Sequence, residues 1–171
     1  MQETGTRINK YMSQCGYCSR READRLIEKG EVWINGTLAT MGTKVMPGDT
    51  VMVHHTTITP CQKEYLLAFH KPAGIVCTTS KIDKNNVIDY LNFPERIYPV
   101  GRLDKESTGL LLLTNNGQLM DDVLRGSNYH EKEYIVHVNK PITDSVLQAM
   151  AQGVPILDTI TRPCKIRRMG K

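Results

Sequence analysis

Four consecutive leucines, Leu110 to Leu113, stand between Gly109 and the turn-forming Asn115-Asn116-Gly117. A bounded apolar run this short reads as a strand buried on both faces, because a buried helix needs ten residues or so. Just before it, Gly101 to Thr108 is polar, and before that Tyr98 to Val100 reads as another strand. The polar stretch is therefore a surface loop anchored by rigid structure at both ends. Loops of that kind are where reactive side chains sit.

The signals on either side of this centre alternate without a regular strand-helix-strand repeat, so the fold class is α+β. Upstream, Tyr65 to His70 reads as a strand, Lys71-Pro72-Ala73-Gly74 as a turn, and Ile75 to Thr78 as a second strand. Ser80 to Asn85 is a polar loop, and Val87, Ile88 and Leu91 suggest a brief helix closed by Pro94. Downstream, the pattern predicts a helix over 118–125, a strand over 133–138 and a helix over 143–152.

The first third has a different texture. Ile8, Tyr11 and Met12 form one apolar stripe at helical spacing, and Gly16 supplies the stop. Ser19-Arg20-Arg21-Glu22 has the form of a reciprocal capping box, with Ala23, Leu26 and Ile27 as the buried side of the helix it opens and Gly30 as its end. Val32-Trp33-Ile34 followed by Asn35-Gly36 is a strand running into a hairpin turn. Thr50 to His54 is another strand, entered through the turn Met46-Pro47-Gly48-Asp49. His55 to Glu64 has no period, which places a domain boundary there: 5–60 forms one domain and 61–171 the other.

Charge and cysteine content narrow the function classes. The 171 residues carry 22 Lys and Arg against 18 Asp and Glu, a net +4 that permits an anionic partner without demanding one. Met1 to Lys10 has no apolar core of a signal peptide, and the leucine run is far too short to span a bilayer, so a soluble, cytoplasmic protein without a membrane partner is expected. An odd set of five cysteines in such a chain implies reduced thiols. Cys15 and Cys18 make a C-x-x-C, but no second pair with ligand spacing follows. Two small, partly buried side chains at a helix-helix junction explain them better than a metal or redox site.

The positive residues are placed unevenly. Arg7, Lys10, Arg20, Arg21, Arg25 and Lys29 fall in the first two helices against Glu22, Asp24 and Glu28. Arg20 and Arg21 occupy the first turn of a helix, where the macrodipole disfavours cations unless an anion sits opposite. A solvated helix face explains the charge alone equally well. The order of elements adds more: the two helices, Ser19-Arg20-Arg21-Glu22-Ala23, Gly30, Val32, Asn35-Gly36 and Gly48-Asp49 resemble the S4 RNA-binding domain. That resemblance implies that the six basic residues grip folded RNA through shape and phosphates.

In the central loop, Asp104 lies between Arg102 and Lys105, charges of the sign that favours a carboxylate anion. Such a carboxylate serves as nucleophile or base, or else merely closes an Asx-type turn on its own backbone. Gly101-Arg102-Leu103-Asp104, then Ser107 and Gly109, then four leucines, Thr114 and Asn115, resemble the signature of pseudouridine synthases of the small-ribosomal-subunit type. Lys71-Pro72-Ala73-Gly74 is similar to the family's first motif, and Lys132-Glu133-Tyr134 to the one holding its active-site tyrosine. His130 to Tyr134 and Gly153 to Leu157 look most like members acting on large-subunit rRNA.

This kinship implies a small S4-like domain of two helices and short strands. Behind it comes a mixed, mainly antiparallel sheet with flanking helices, incomplete at the C-terminus. It implies isomerisation of uridine to pseudouridine in ribosomal RNA, large subunit favoured and tRNA a second candidate, without cofactor or metal. Asp104 becomes the catalytic carboxylate, acting at the sugar or the base. Gly101, Arg102, Leu103, Tyr134 and Lys71 become substrate-site residues: Arg102 fills the place of the flipped base, Tyr134 packs on the uracil and Lys71 shapes the floor. One departure accompanies the match. The family carries a later motif whose basic residue pairs with the catalytic aspartate, and Lys165-Ile166-Arg167-Arg168-Met169 falls too early to be its equivalent.

Overall fold

The computed structural model of the chain describes residues 5–125 and 131–169. Its backbone divides into two units, Met1–His130 and Glu131–Lys171.

The first unit begins with β1 (Thr6–Arg7), α1 (Ile8–Gln14) and α2 (Arg20–Glu28), then β2 (Val32–Ile34), β3 (Thr37–Leu38), β4 (Lys44–Val45), β5 (Val51–Val53) and β6 (Thr56–Ile58). The stripe on α1 behaves as its spacing requires, with Ile8 and Met12 buried. On α2 the buried side chains are Ala23, Leu26 and Ile27, and together with Val32, Val51, Val53 and Ile58 they make one apolar core. Burying each Leu or Ile there contributes roughly 1.5–3 kcal/mol. Ser19 accepts from the Glu22 amide at 3.1 Å. The capping box closes only on that side, because the Glu22 carboxylate is taken by Arg25 at 3.0 Å.

Strands β3-β2-β5-β6 form an antiparallel sheet, and β1 pairs with β4. Asn35 and Gly36 both have positive φ, +50° and +79°, as the tight β2–β3 hairpin requires. The Asn35 side chain does further duty. It donates to Asp49 at 2.7 Å and accepts the Thr50 amide at 2.9 Å, while Asp49 also takes the Met46 amide at 2.7 Å. β6 was not expected in the aperiodic stretch after His54. His54 and His55 both take the left-handed conformation without help from glycine, and this turn brings Thr56–Ile58 back along β5.

The rest of this unit holds β7 (Leu66–Lys71), α3 (Val87–Leu91), β8 (Tyr98–Val100), β9 (Gly109–Thr114) and α4 (Gly117–Leu124). The sheet runs β7-β9-β8, antiparallel throughout, with the leucine strand in the middle. Two expectations need correction. Leu111 and Leu113 are buried, but Leu110 is 68% exposed and Leu112 half-buried, so β9 is covered on one face only. The stretch from Ile75 to Thr78 is not a strand: Val76 donates to Asn85 and accepts from Val87 and Thr78, which commits its backbone to the start of α3 and the loop around it.

Asn115, directly after β9, ties the start of this sheet together. Its side chain accepts the Tyr65 amide at 2.9 Å and donates to the Lys63 carbonyl at 2.8 Å. Thr114 donates to the Tyr65 carbonyl at 2.7 Å, and the Tyr98 hydroxyl donates to the Asn115 carbonyl at 2.6 Å.

The second unit contains α5 (Asp144–Gln152), with Thr143 capping it, and a hairpin of β10 (Pro155–Ile156) and β11 (Thr159–Ile160). The strand expected over 133–138 is absent. Tyr134, Ile135, Val136 and Val138 are all exposed, and no described strand lies beside them to supply a ladder. No helix among the described residues is long and apolar enough to cross a membrane.

Candidate active site and nucleic-acid interface

The loop between β8 and β9 leaves the sheet at Gly101, φ +85°, where a Cβ would meet Leu124 at 3.6 Å, and returns at Gly109. Leu103 turns inward against the core formed by Cys77, Val87, Ile97, Leu111 and Leu113. Its neighbours Arg102 and Asp104 are exposed. An apolar anchor thus alternates with two charged side chains presented to solvent.

The backbone on each side of Asp104 is held. The Leu103 amide donates to the buried Cys77 sulfur at 3.4 Å, and the Ser107 amide donates to the Asp104 main-chain carbonyl at 3.1 Å. The Lys105 carbonyl accepts from the Gly74 amide at 2.8 Å and from Lys71 Nζ at 3.0 Å. Lys71 is fully buried, and its ammonium also donates to the carbonyls of Pro72 and Ile75, both at 2.8 Å. Three carbonyls therefore satisfy a charge that would be costly to bury alone. The turn closes main chain to main chain, so the Asx-type reading does not hold, and among the described residues no hydrogen bond or ion pair engages the Asp104 carboxylate. An exposed carboxylate on a backbone held this way is available to act as a nucleophile or base.

Gly101, Arg102, Leu103, Asp104 and Lys71 are thus brought together. Tyr134 belongs to the second unit, where it is 76% exposed and outside any strand. His130 of the same motif lies outside the described residues. The basic run near the end pairs within its own unit: Lys165 with Glu131 at 3.6 Å, Arg167 with Glu133 at 3.8 Å and Arg168 with Asp144 at 2.9 Å. Sequence reasoning missed Cys77, filed only among scattered thiols, because its partner Leu103 is distant in the chain.

On the helical face, Arg7, Arg20, Arg21, Arg25 and Lys29 are exposed and Lys10 is half-buried. Arg25 pairs with Glu22, but an exposed pair of this kind is worth at most about 1 kcal/mol. Cys15 and Cys18 are half-buried at the α1–α2 junction, as expected. Burial pushes both thiols up to about 11, so they are protonated at neutral pH.

Comparison with known proteins matches both halves. The RNA pseudouridylate synthase family model covers residues 65–156, and the S4 domain model covers 6–51. The chain is 49% identical over 168 residues to the dual-specificity RNA pseudouridine synthase RluF of Escherichia coli (strain K12), covering 97% of this chain and 58% of that protein. It is 33% identical over 168 residues to ribosomal large subunit pseudouridine synthase B of Bacillus subtilis (strain 168), covering 96% of this chain and 68% of that one. A crystal structure of a pseudouridylate synthase superposes with a TM-score of 0.57 at 26% identity, over 96% of this chain and 73% of the other.

Proposed function

Because the chain belongs to the RNA pseudouridylate synthase family and carries an S4 domain at its front, we propose that it converts a uridine of ribosomal RNA to pseudouridine. Residues 5–60 grip the RNA and residues 61–171 carry the chemistry. The observation that carries this reading is the exposed carboxylate of Asp104 on a backbone braced by Lys71 and Cys77.

The uridine is extruded from its stack so that the reacting atoms reach Asp104. Asp104 attacks or assists at the sugar or base, the C–N glycosidic bond breaks, uracil rotates, and a C–C bond forms at the same sugar carbon. The C5 hydrogen leaves as a proton and the freed N1 takes one up, so every atom balances, no net oxidation occurs and no redox partner is called for. Arg102 stacks its guanidinium where the base had been. Tyr134 packs against the uracil, and Gly101 and Leu103 set the loop's direction. Arg7, Lys10, Arg20, Arg21, Arg25 and Lys29 hold phosphates of the surrounding RNA. Large-subunit rRNA is the favoured substrate, with tRNA second, since one relative is named for the large ribosomal subunit and another for dual specificity. The setting is the cytoplasm, where both RNAs reside.

A second reading is a non-catalytic RNA-binding protein. It is favoured by the S4 match over residues 6–51 and by the exposed Arg20 and Arg21 on α2, which can hold RNA without any chemistry behind them; the chain spans 58% of the length of its RluF relatives. Incubating the chain with unmodified large-subunit rRNA and with tRNA, then mapping pseudouridine, separates the two. Product at one defined uridine is expected. Pure, folded, RNA-bound protein that yields none leaves only the binding reading.

A further inference from the structure

Arg96 lies just ahead of β8, and its guanidinium donates to the Cys18 carbonyl in the turn between α1 and α2. The backbones approach closely here: a Cβ on Gly16 would sit 3.9 Å from that of Arg96. Among the described residues no carboxylate pairs with Arg96, so its charge stays at the seam. Tyr98, two residues on, lies within the fields of both Arg96 and Arg20, which oppose the rise that burial imposes on its hydroxyl. A second strap runs nearby, where the Cys61 amide donates to the Gln14 carbonyl at 3.3 Å. Asn115 holds the next residues of that segment, Lys63 and Tyr65, against the sheet.

These contacts place the start of α2 at one end of β8 and the Asp104 loop at the other. β8 has three residues, a rise of roughly 10 Å. The helix that meets phosphates and the loop that meets the target nucleotide are thus joined by a short, rigid span rather than by a free linker. We propose that Arg96 is a specificity-determining positioning residue: by latching the α1–α2 turn to β8, it fixes the offset between RNA held by Arg20 and Arg21 and the nucleotide offered to Asp104. This rests on the RNA reading above. Neighbouring nucleotides differ by only about 3.4 Å along a strand, so a seam loosened by a few ångströms admits the wrong uridine.

The test uses the complete chain and its Arg96→Ala and Arg96→Lys variants, with a large-subunit rRNA transcript probed by hydroxyl-radical footprinting. The wild type should give two protected patches at fixed spacing. In Arg96→Ala the patch under the helices should persist, with Kd within about threefold, while the patch under the 101–108 loop blurs over adjacent nucleotides. Trypsin cleavage after Lys63, in the strapped segment, should rise about tenfold in the free protein, and Arg96→Lys should restore part of both effects. Should the alanine variant unfold, Arg96→Gln, which keeps a donor of shorter reach, carries the same comparison. Two patches of unchanged spacing and sharpness in a folded variant overturn the latch. A wild type that protects no RNA overturns the RNA reading, and the inference with it.

Discussion

The ammonium of Lys71 donates across 3.0 Å to the carbonyl of Lys105, the residue directly after Asp104. A fully buried cation at the end of β7 thereby holds the backbone of the loop that presents the carboxylate. Stability and site geometry share one atom, and each can be measured through it.

Replacing Lys71 by Met keeps most of the volume and removes the donors. The carbonyls of Pro72, Ile75 and Lys105 would each lose that bond, and the expected cost is about 3 kcal/mol. Denaturant titration should show a lower midpoint at unchanged slope. A midpoint within error of the parent would mean that water or neighbouring amides replace the ammonium.

Asp104→Asn removes the charge with almost no change in shape. Single-turnover formation of pseudouridine should fall by at least about 10²-fold, the lower bound for losing a positioned acid or base. RNA affinity and the thermal transition should stay at parent values. Product at the parent rate would remove the carboxylate from the mechanism.

The Arg20→Ala, Arg21→Ala double variant addresses the helical face. Each lost phosphate contact lowers the salt dependence of binding, so the slope of log K against log salt should become shallower by roughly 1 to 2 units. An unchanged slope would put the RNA on another surface.

Asp49 supplies a pH dependence. The Met46 amide and then the Asn35 side chain hold its carboxyl below the ordinary value of 3.8. A group whose folded pKa is depressed contributes stability above its unfolded value and loses it as pH falls through the folded one. Acid unfolding followed by the fluorescence of Trp33, the single tryptophan, should therefore show Asp49→Asn less stable than the parent at neutral pH. The gap should begin to narrow as pH falls below 3.8 and close once it is beneath the lower, folded value. A gap that persists there would mean that the loss comes from packing rather than charge.

Much of this was legible in the chain because local chemistry and tertiary structure agree. Ser19 caps α2, Asn35-Gly36 makes its hairpin, and Ile8 and Met12 face inward, as their spacing demands. The misses have physical causes. β6 follows a turn of two left-handed histidines, where sequence rules look for glycine. The stretch over 133–138 has strand composition, but composition supplies no partner. For the candidate site, the position of Asp104 in an anchored loop was readable, and resemblance gave Lys71 the floor of the site, whereas the bonds that brace the loop were not readable. Lys71 and Cys77 reach it across long sequence separations that periodicity does not record.

The run of four leucines carries one more consequence. A strand of identical side chains reads the same when moved by one residue, so hydrophobicity alone cannot decide which two leucines go inside. In the observed alignment, with Leu66 opposite Thr114, the Asn115 side chain bonds to both Lys63 and Tyr65 and the Thr114 hydroxyl bonds to Tyr65, contacts that favour this register. Polar side chains just past the leucines thus help to register the sheet, and with it the point at which Gly109 receives the Asp104 loop.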